Sequence, residues 1–231
     1  MVPVVNVHRL GKIEYKESWD LQEKYLKSSV ETKLLNREKK TPTLPLNHLL
    51  ICEHPNVYTL GKSGHEHNLL LDKKQLETQS IDYFRINRGG DITYHGPGQL
   101  VVYPIFDLEQ FFTDIHKYMR LLEEAVIQTL LEYSISGERV DGLTGVWVKN
   151  KTGDYSKICA MGVKCSRWVT MHGIGFNVNT DLQYFKNIIP CGIQGKSVTS
   201  IEKELGKAQN LTEVGEKLIS KLQYVFQFKI N

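Results

Sequence analysis

The spacing of apolar residues predicts three long helices. Over residues 14–34, 114–133 and 213–226, apolar side chains recur every three or four positions with polar residues between them. Asp114 is placed to cap the start of the second helix. Residues 199–202 fit a capping box before a further, short helix that stops at Gly206.

Shorter apolar runs predict strands. A polar turn over residues 150–156 separates two of the runs and indicates a hairpin, whereas residues 36–47 read as an exposed loop. Because the strands come in groups rather than in strict alternation with helices, the pattern favours an α+β fold with a mixed, mainly antiparallel sheet. The predicted strands are 49–52, 57–60, 83–86, 100–106, 145–149, 157–163 and 168–178.

Composition adds few constraints. The chain has 231 residues, of which 41% are hydrophobic and 24% charged, as in ordinary globular proteins. Its first ten residues lack the apolar core of a signal peptide, and no apolar stretch approaches the roughly 20 residues that span a bilayer. We therefore expect a cytoplasmic protein without a membrane partner. The net charge of +3 is too small to indicate a nucleic-acid partner.

Basic residues gather over residues 149–164, with Arg167, Lys186 and Lys196 beyond them. Such a run forms either a solvated face or a docking surface for an acidic partner. The four cysteines are Cys52, Cys159, Cys165 and Cys191, and they include no close pair typical of zinc sites. Four cysteines are also too few for a disulfide-rich fold of this length. We predict free thiols and no metal site.

The densest unusual segment begins at Arg88 and ends at Gln99, with four glycines. Glycine lets the backbone approach a ligand closely, so a binding loop is one interpretation and a pair of tight turns is the other. Neither the Walker phosphate loop nor the Rossmann fingerprint fits this spacing. The candidate binding residues here are Arg88, Gly89, Gly90, Asp91, Ile92, Thr93, Tyr94 and His95.

Two further segments surround candidate chemistry. Lys157 precedes Ala160, Met161 and Gly162, and His172 precedes Gly173, Ile174 and Gly175. A single lysine is most often solvated at the surface, so this pattern alone leaves both interpretations open.

Cys191 lies between Pro190, which fixes the chain direction, and Gly192, which leaves one side open. A buried, inert cysteine is the common alternative. If the thiol is a nucleophile, an ammonium such as that of Lys157 would lower its pKa and increase the thiolate fraction. His95 and His172 are rival bases, because cysteine and histidine are the commoner nucleophilic pair.

The order of four segments identifies a family. RGGDITYHGPGQLVVYP, KICAMGV, HGIGFNVNTDL and PCGI resemble the lipoyl(octanoyl)transferases, anchoring the chain from about residue 49 to 204. The resemblance implies a biotin and lipoate ligase-like fold in one domain over residues 1–231, with a mixed sheet flanked by helices. Two features depart from the family pattern. Asp91 stands where many relatives carry a neutral or basic residue, and the linker 36–47 reads as an insertion.

The resemblance also implies an activity. An octanoyl group would pass from octanoyl-acyl carrier protein to a lysine of the lipoyl domains of 2-oxoacid dehydrogenases and the glycine cleavage H protein. Cys191 would carry the acyl group, Lys157 would lower its pKa, and residues 88–95, 160–162 and 173–175 would form the acyl site. No cofactor is implied. The alternatives are an ATP-dependent lipoate or biotin ligase and a non-catalytic acyl-binding module.

Overall fold

The structure is a computed structural model that describes residues 2–37, 43–189 and 197–231. Within these ranges no helix combines the length and the apolar character that crossing a bilayer requires. The three long predicted helices are confirmed, and a short one over residues 73–78 was not predicted. The helices are α1 (Tyr15–Asn36), α2 (Lys73–Thr78), α3 (Ile115–Leu131), α4 (Ile201–Leu205) and α5 (Leu211–Phe226).

The predicted N-cap of α3 is confirmed, whereas the prediction for α4 is wrong. The Asp114 carboxylate accepts the N–H of Lys117 at 2.9 Å and caps α3 as predicted. The predicted capping box at residues 199–202 is wrong by one residue. Ser200 is the N-cap of α4, while the Thr199 hydroxyl donates to the Glu204 carboxylate and is not free to cap.

All seven predicted strands are present, and five more were not predicted. Three of the five are short or lie at an edge, one (Ile92–His95) lies inside the predicted binding loop, and the fifth (Val4–Lys12) is a nine-residue strand near the start of the chain. The exposed loop predicted over residues 36–47 lies partly outside the described residues, at 38–42. The strands are β1 (Val4–Lys12), β2 (Asn47–Glu53), β3 (Val57–Leu60), β4 (Asp82–Arg85), β5 (Ile92–His95), β6 (Gln99–Ile105), β7 (Gly137–Val140), β8 (Leu143–Lys149), β9 (Tyr155–Ser166), β10 (Val169–Asn177), β11 (Ser197–Val198) and β12 (Lys229–Ile230).

Among the described residues, nine strands form the main sheet, in the order β12-β1-β2-β6-β10-β9-β8-β7, with β11 pairing to β9 outside this path. The pairs from β2 through β6, β10, β9 and β8 to β7 are antiparallel, whereas β1 pairs in parallel with both β2 and β12. A separate sheet has the order β4-β3-β5. The predicted α+β class with a mixed, mainly antiparallel sheet is therefore confirmed.

Helices cover both faces of the main sheet. On β2, Leu49 and Ile51 belong to the apolar cluster beneath α3 and α5, whereas Leu50 and Cys52 belong to the cluster beneath α1. Alternate side chains point to opposite faces of a strand, so two covered faces bury every position. This is why β2 and β6 read as continuous apolar runs rather than as alternating patterns.

We expect truncation of Leu122 to cost more stability than truncation of Leu131 on the same helix. The Leu122 side chain is fully buried in the cluster under α3, whereas Leu131 is 59% exposed. Leu122→Ala should lower the free energy of unfolding by about 2–5 kcal/mol, because it removes apolar contact and leaves a cavity. Leu131→Ala should change it by less than about 0.5 kcal/mol. Urea titration measures both, and equal losses would contradict this packing.

Candidate active site

Two adjacent cavities lie where β9 meets the loop between β4 and β5. The larger is a groove of about 580 Å³, and the smaller is an inner cavity of about 40 Å³. Apart from Tyr94, which lines neither, and Cys191, which lies outside the described residues, the predicted site residues are divided between them. Both cavities are lined by Arg88, Thr93, Ala160, Met161 and Gly162.

Lys157 lies in the groove and not in the inner cavity. Its Nζ is 4.6 Å from the centroid of the Trp147 ring, a distance at which a cation is attracted to an aromatic face. The backbone of Lys157 is held on both sides, because β9 pairs with β8 at Trp147 and with β11 at Val198. Strand pairing therefore fixes the position from which this side chain enters the groove.

The loop 88–91 is fastened to β9 and to the segment after β3. The N–H of Gly89 donates to the Val163 carbonyl at 2.9 Å, and the N–H groups of Lys62 and Ser63 donate to carbonyls of the loop. Gly162 allows this close approach, because a Cβ there would lie 2.9 Å from the Gly89 carbonyl oxygen. A side chain at residue 162 would push the loop off the strand.

Arg88 supports the loop from inside. The side chain is buried, and its guanidinium donates to the Thr59 carbonyl at 2.8 Å, to the Thr59 hydroxyl at 3.1 Å and to the Gly89 carbonyl at 3.0 Å. These bonds join β3 to the loop that forms one wall of the groove.

The contacts of Asp91 and Tyr94 indicate structural roles for both residues. The Asp91 carboxylate accepts the N–H of Ile92 at 2.7 Å and the side-chain amide of Asn68 at 2.6 Å. Tyr94 is fully buried, stacks on Tyr184 at 4.8 Å and lines neither of the two cavities. Asp91 thus has a local role in holding the loop.

The inner cavity contains the other predicted residues. His95, His172 and the segment Gly173 to Gly175 line it, together with Tyr15 from α1 and Tyr103 from β6. The His95 Nδ1 lies 2.6 Å from Gln99 Oε1, and the His172 Nε2 lies 3.1 Å from Asn87 Oδ1.

Both histidines are neutral at physiological pH. Burial lowers the pKa of His95 to about 3, with His54 acting in the same direction. Burial likewise lowers the pKa of His172 to about 3, and the positive charges of Arg88 and Lys164 add to the shift. A group with so low a pKa is a weak base at pH 7.

The cysteines differ in their surroundings. Cys52 and Cys159 are buried, and burial raises the pKa of both thiols. The positive charge of Lys157 opposes that shift at Cys159. Cys165 is exposed, at the far end of β9 from Lys157. Cys191 lies outside the described residues.

The sequence analysis did not identify several residues that line the groove. Ile115 and Met119 come from the first turns of α3, and nothing in their spacing separates a groove position from a core position. Trp147 was also missed, because counting back from the predicted turn at 150–156 pairs it with residue 159, whereas β9 begins at Tyr155 and places Lys157 opposite Trp147. Within the described ranges, no three side chains of His, Cys, Asp or Glu gather in a way that would hold a metal ion.

The buried neutral histidines predict that stability falls in mild acid. Their pKa in the folded state is about 3, below the unfolded value of about 6.5, so between these values the unfolded chain binds more protons. Each should cost about 2 kcal/mol of the free energy of unfolding between pH 7 and pH 5. His172→Asn should remove the share of this loss that His172 contributes, because asparagine does not bind a proton in this pH range. Asparagine also tolerates the backbone at residue 172, where φ is +60°.

His67→Asn is the matched control, because His67 is exposed. Denaturant titration at the two pH values measures the loss in each variant. An unchanged loss in His172→Asn would mean that this imidazole is not buried as a neutral group.

Comparison with known proteins identifies the family. A family model described as "Lipoyl protein ligase A/B catalytic domain" matches residues 14–223. A curated relative from Christiangramia forsetii, named "Octanoyltransferase", is 57% identical over 98% of this chain and 97% of its own length.

Solved structures share the fold at low identity. The crystal structure of lipoate-protein ligase A bound with ATP has a TM-score of 0.69 at 15% identity, covering 100% of this chain and 88% of that one. Biotin protein ligase from Aquifex aeolicus in complex with biotin and ATP has a TM-score of 0.51 at 15% identity, covering 96% and 70%. The predicted biotin and lipoate ligase-like fold is confirmed. The chain belongs to the family of lipoyl protein ligase A/B catalytic domains.

Proposed function

We propose that this protein transfers an octanoyl group from octanoyl-acyl carrier protein to a lysine of a lipoyl domain, through a thioester on Cys191. It is an acyltransferase, as the name and high identity of its full-length relatives indicate. The observation that carries the proposal for the site is the position of Lys157, held by strand pairing on both sides at the wall of a large groove.

The groove suits a medium-length acyl chain. Its volume of about 580 Å³ is within the range of small-molecule sites, and apolar side chains from four elements line it. Burial of each methylene contributes about 0.8 kcal/mol, so an octanoyl chain gains up to about 5 kcal/mol over an acetyl group. The apolar lining includes Ile92, Ile115, Met119, Leu143 and Met161.

The chain on either side of the segment 190–196 borders the groove. Phe185, six residues before Cys191, and Ser197, six residues after it, both line the groove. Ile189 is fastened through its N–H to the Asn68 carbonyl at 2.8 Å. These neighbours support a position of Cys191 close to Lys157.

The proposed chemistry needs a thiolate and an ammonium side by side. A free thiol is only a few per cent ionised at neutral pH, and a neighbouring ammonium lowers its pKa. The thiolate of Cys191 attacks the donor carbonyl carbon, a new carbon–sulfur bond forms, and the carrier's carbon–sulfur bond breaks. The carrier leaves as a thiolate and takes up a proton.

The second half of the reaction reverses this exchange. The amine of the acceptor lysine attacks the enzyme thioester, an amide forms, and the Cys191 thiolate leaves. The amine loses a proton in this step, and the Lys157 ammonium again stabilises the departing thiolate. His95 and His172 are poorer candidates for this role, because they line the inner cavity and their pKa values are about 3.

The partners and the cellular location are part of the proposal. The donor is an acyl carrier protein, the acceptors are lipoyl domains, and the reaction takes place in the cytoplasm in a single domain over residues 1–231. The basic residues near the groove are candidates for docking the carrier, although Lys164 already pairs with Glu23 at 3.1 Å.

Intact-protein mass spectrometry tests the thioester directly. After incubation with octanoyl-acyl carrier protein and no ATP, the wild-type protein should gain one octanoyl group that hydroxylamine removes. Cys191→Ala should show no adduct, and Cys165→Ala, which removes an exposed thiol, should acylate as the wild type does. An adduct that persists in Cys191→Ala would refute the proposed nucleophile, and a requirement for ATP would favour a ligase.

The pH dependence of thiol alkylation tests the role of Lys157. In Lys157→Ala the apparent pKa of Cys191 should rise, because the stabilising ammonium is gone. Lys149→Ala on the neighbouring strand β8 is the control and should leave the profile in place. An identical Cys191 profile in wild type and Lys157→Ala would assign the thiol's reactivity to another group.

A further inference from the structure

We propose that Glu123, a buried carboxylate on α3, is a positioning residue for Lys157 and acts through the backbone of Gly145. The inference rests on the proposed role of Lys157 at the nucleophile. Neither the four sequence motifs nor the cavity linings include Glu123.

The reason that Lys157 faces the groove is a bulge in β9. Trp147 pairs with Lys157 but Val146 pairs with Cys159, so β9 has one extra residue, Ile158, at this point. Ile158 and Cys159 are consecutive, yet both are fully buried in the same apolar cluster. In a regular strand Lys157 would share a face with Cys159 and point into that cluster. The bulge reverses this and turns Lys157 towards Trp147 and the groove.

Gly145 is the residue of β8 that allows the bulge. Its φ is +114°, which an L side chain rarely adopts, and a Cβ there would lie 2.4 Å from the Cys159 carbonyl oxygen and 3.6 Å from the Lys157 Cε. A side chain at residue 145 would therefore meet both the bulge and the Lys157 side chain, and only glycine leaves room for them.

On the side of β8 that faces β7, strand pairing provides no acceptor for the N–H of Gly145. The register of β7 with β8 runs from Glu138 opposite Trp147 to Val140 opposite Leu143, so residues 144–146 have no counterpart on β7. A buried N–H needs an acceptor. The Glu123 Oε1 supplies it, at 3.0 Å from the Gly145 nitrogen.

The carboxylate is itself held in place by two cations. Glu123 is fully buried, and its Oε2 lies 2.8 Å from Arg120 Nη1 and 3.1 Å from Arg139 Nε. Burying a charge is costly, and an apolar residue of similar size fills a core at least as well for stability. The Glu123 carboxylate instead fixes the position of the Gly145 N–H. The backbone of Gly145 in turn holds the bulge that directs Lys157 into the groove.

The test separates a positioning role from a general effect on folding. Glu123→Leu removes the acceptor, and we expect the rate of Cys191 acylation to fall about 10- to 100-fold, as for a catalytic group displaced by about 1 Å. The pH profile of Cys191 alkylation should shift upward, towards that of Lys157→Ala. Glu123→Gln retains a carbonyl oxygen for Gly145, while Arg120 and Arg139, both partly exposed, can turn to water. It should restore most of the rate and the wild-type profile.

Two control variants reproduce the other effects of Glu123→Leu, namely the destabilisation of α3 and the loss of a partner for Arg139. Leu122→Ala destabilises the same helix but keeps the Glu123 carboxylate that accepts the Gly145 N–H, and should not move the pH profile. Glu124→Gln removes the adjacent partner of Arg139 but not the acceptor for Gly145, and should acylate at the wild-type rate.

The double variant Glu123→Leu/Lys157→Ala gives the decisive comparison. If Glu123 acts through Lys157, the double variant should acylate no more slowly than Lys157→Ala alone. Multiplicative losses, or an unshifted profile in Glu123→Leu, would overturn the inference while acylation of wild-type Cys191 stands. Absence of the Cys191 adduct in the wild type would instead remove the proposed function.

Discussion

The strand β9 has to remain in the sheet and yet turn one lysine out of the core. Its residues 159–166 pair with β10, and residues 155–159 pair with β8. The extra residue Ile158 reconciles the two requirements, since it keeps Cys159 in the core and releases Lys157 towards the groove. Gly145 of β8 lies next to this point, the Glu123 carboxylate on α3 accepts the Gly145 N–H, and the loop 88–91 closes the groove against the same strand further along.

The electrostatics of the two cavities follow from burial. The imidazoles of the inner cavity remain neutral because their pKa values are far below 7, so they add no positive charge to that of Lys157 near the proposed thiolate. Lys157 lies over an aromatic ring at the wall of an apolar groove. This arrangement favours a single thiolate stabilised by the Lys157 ammonium, beside an apolar surface that shields an acyl chain from water. Thioester exchange requires both features.

Much of the fold could be predicted from the sequence, because the long helices and buried strands carry strong periodicity or long apolar runs. The strand β5 falls inside the predicted binding loop, because it is four residues long and lies among glycines, which mask its strand pattern. The predicted wall residues divide between a groove and an inner cavity, with Tyr94 in neither, because residue order does not reveal which face of a short strand meets a cavity. Glu123 could not be found at all, since a glutamate on an amphipathic helix looks solvent-exposed until the β7–β8 register is known.

The proposed function requires Cys191 and Lys157 to act as a pair at the groove. A crystal structure of the protein acylated with octanoate is the direct test of this pairing. We expect an octanoyl thioester on Cys191, its chain in the groove beside Met161 and Leu143, and the Lys157 Nζ within about 6 Å of the sulfur, the range over which a charge shifts a thiol pKa. A separation beyond about 10 Å, where salt screens the charge, or an acyl chain bound elsewhere, would contradict it.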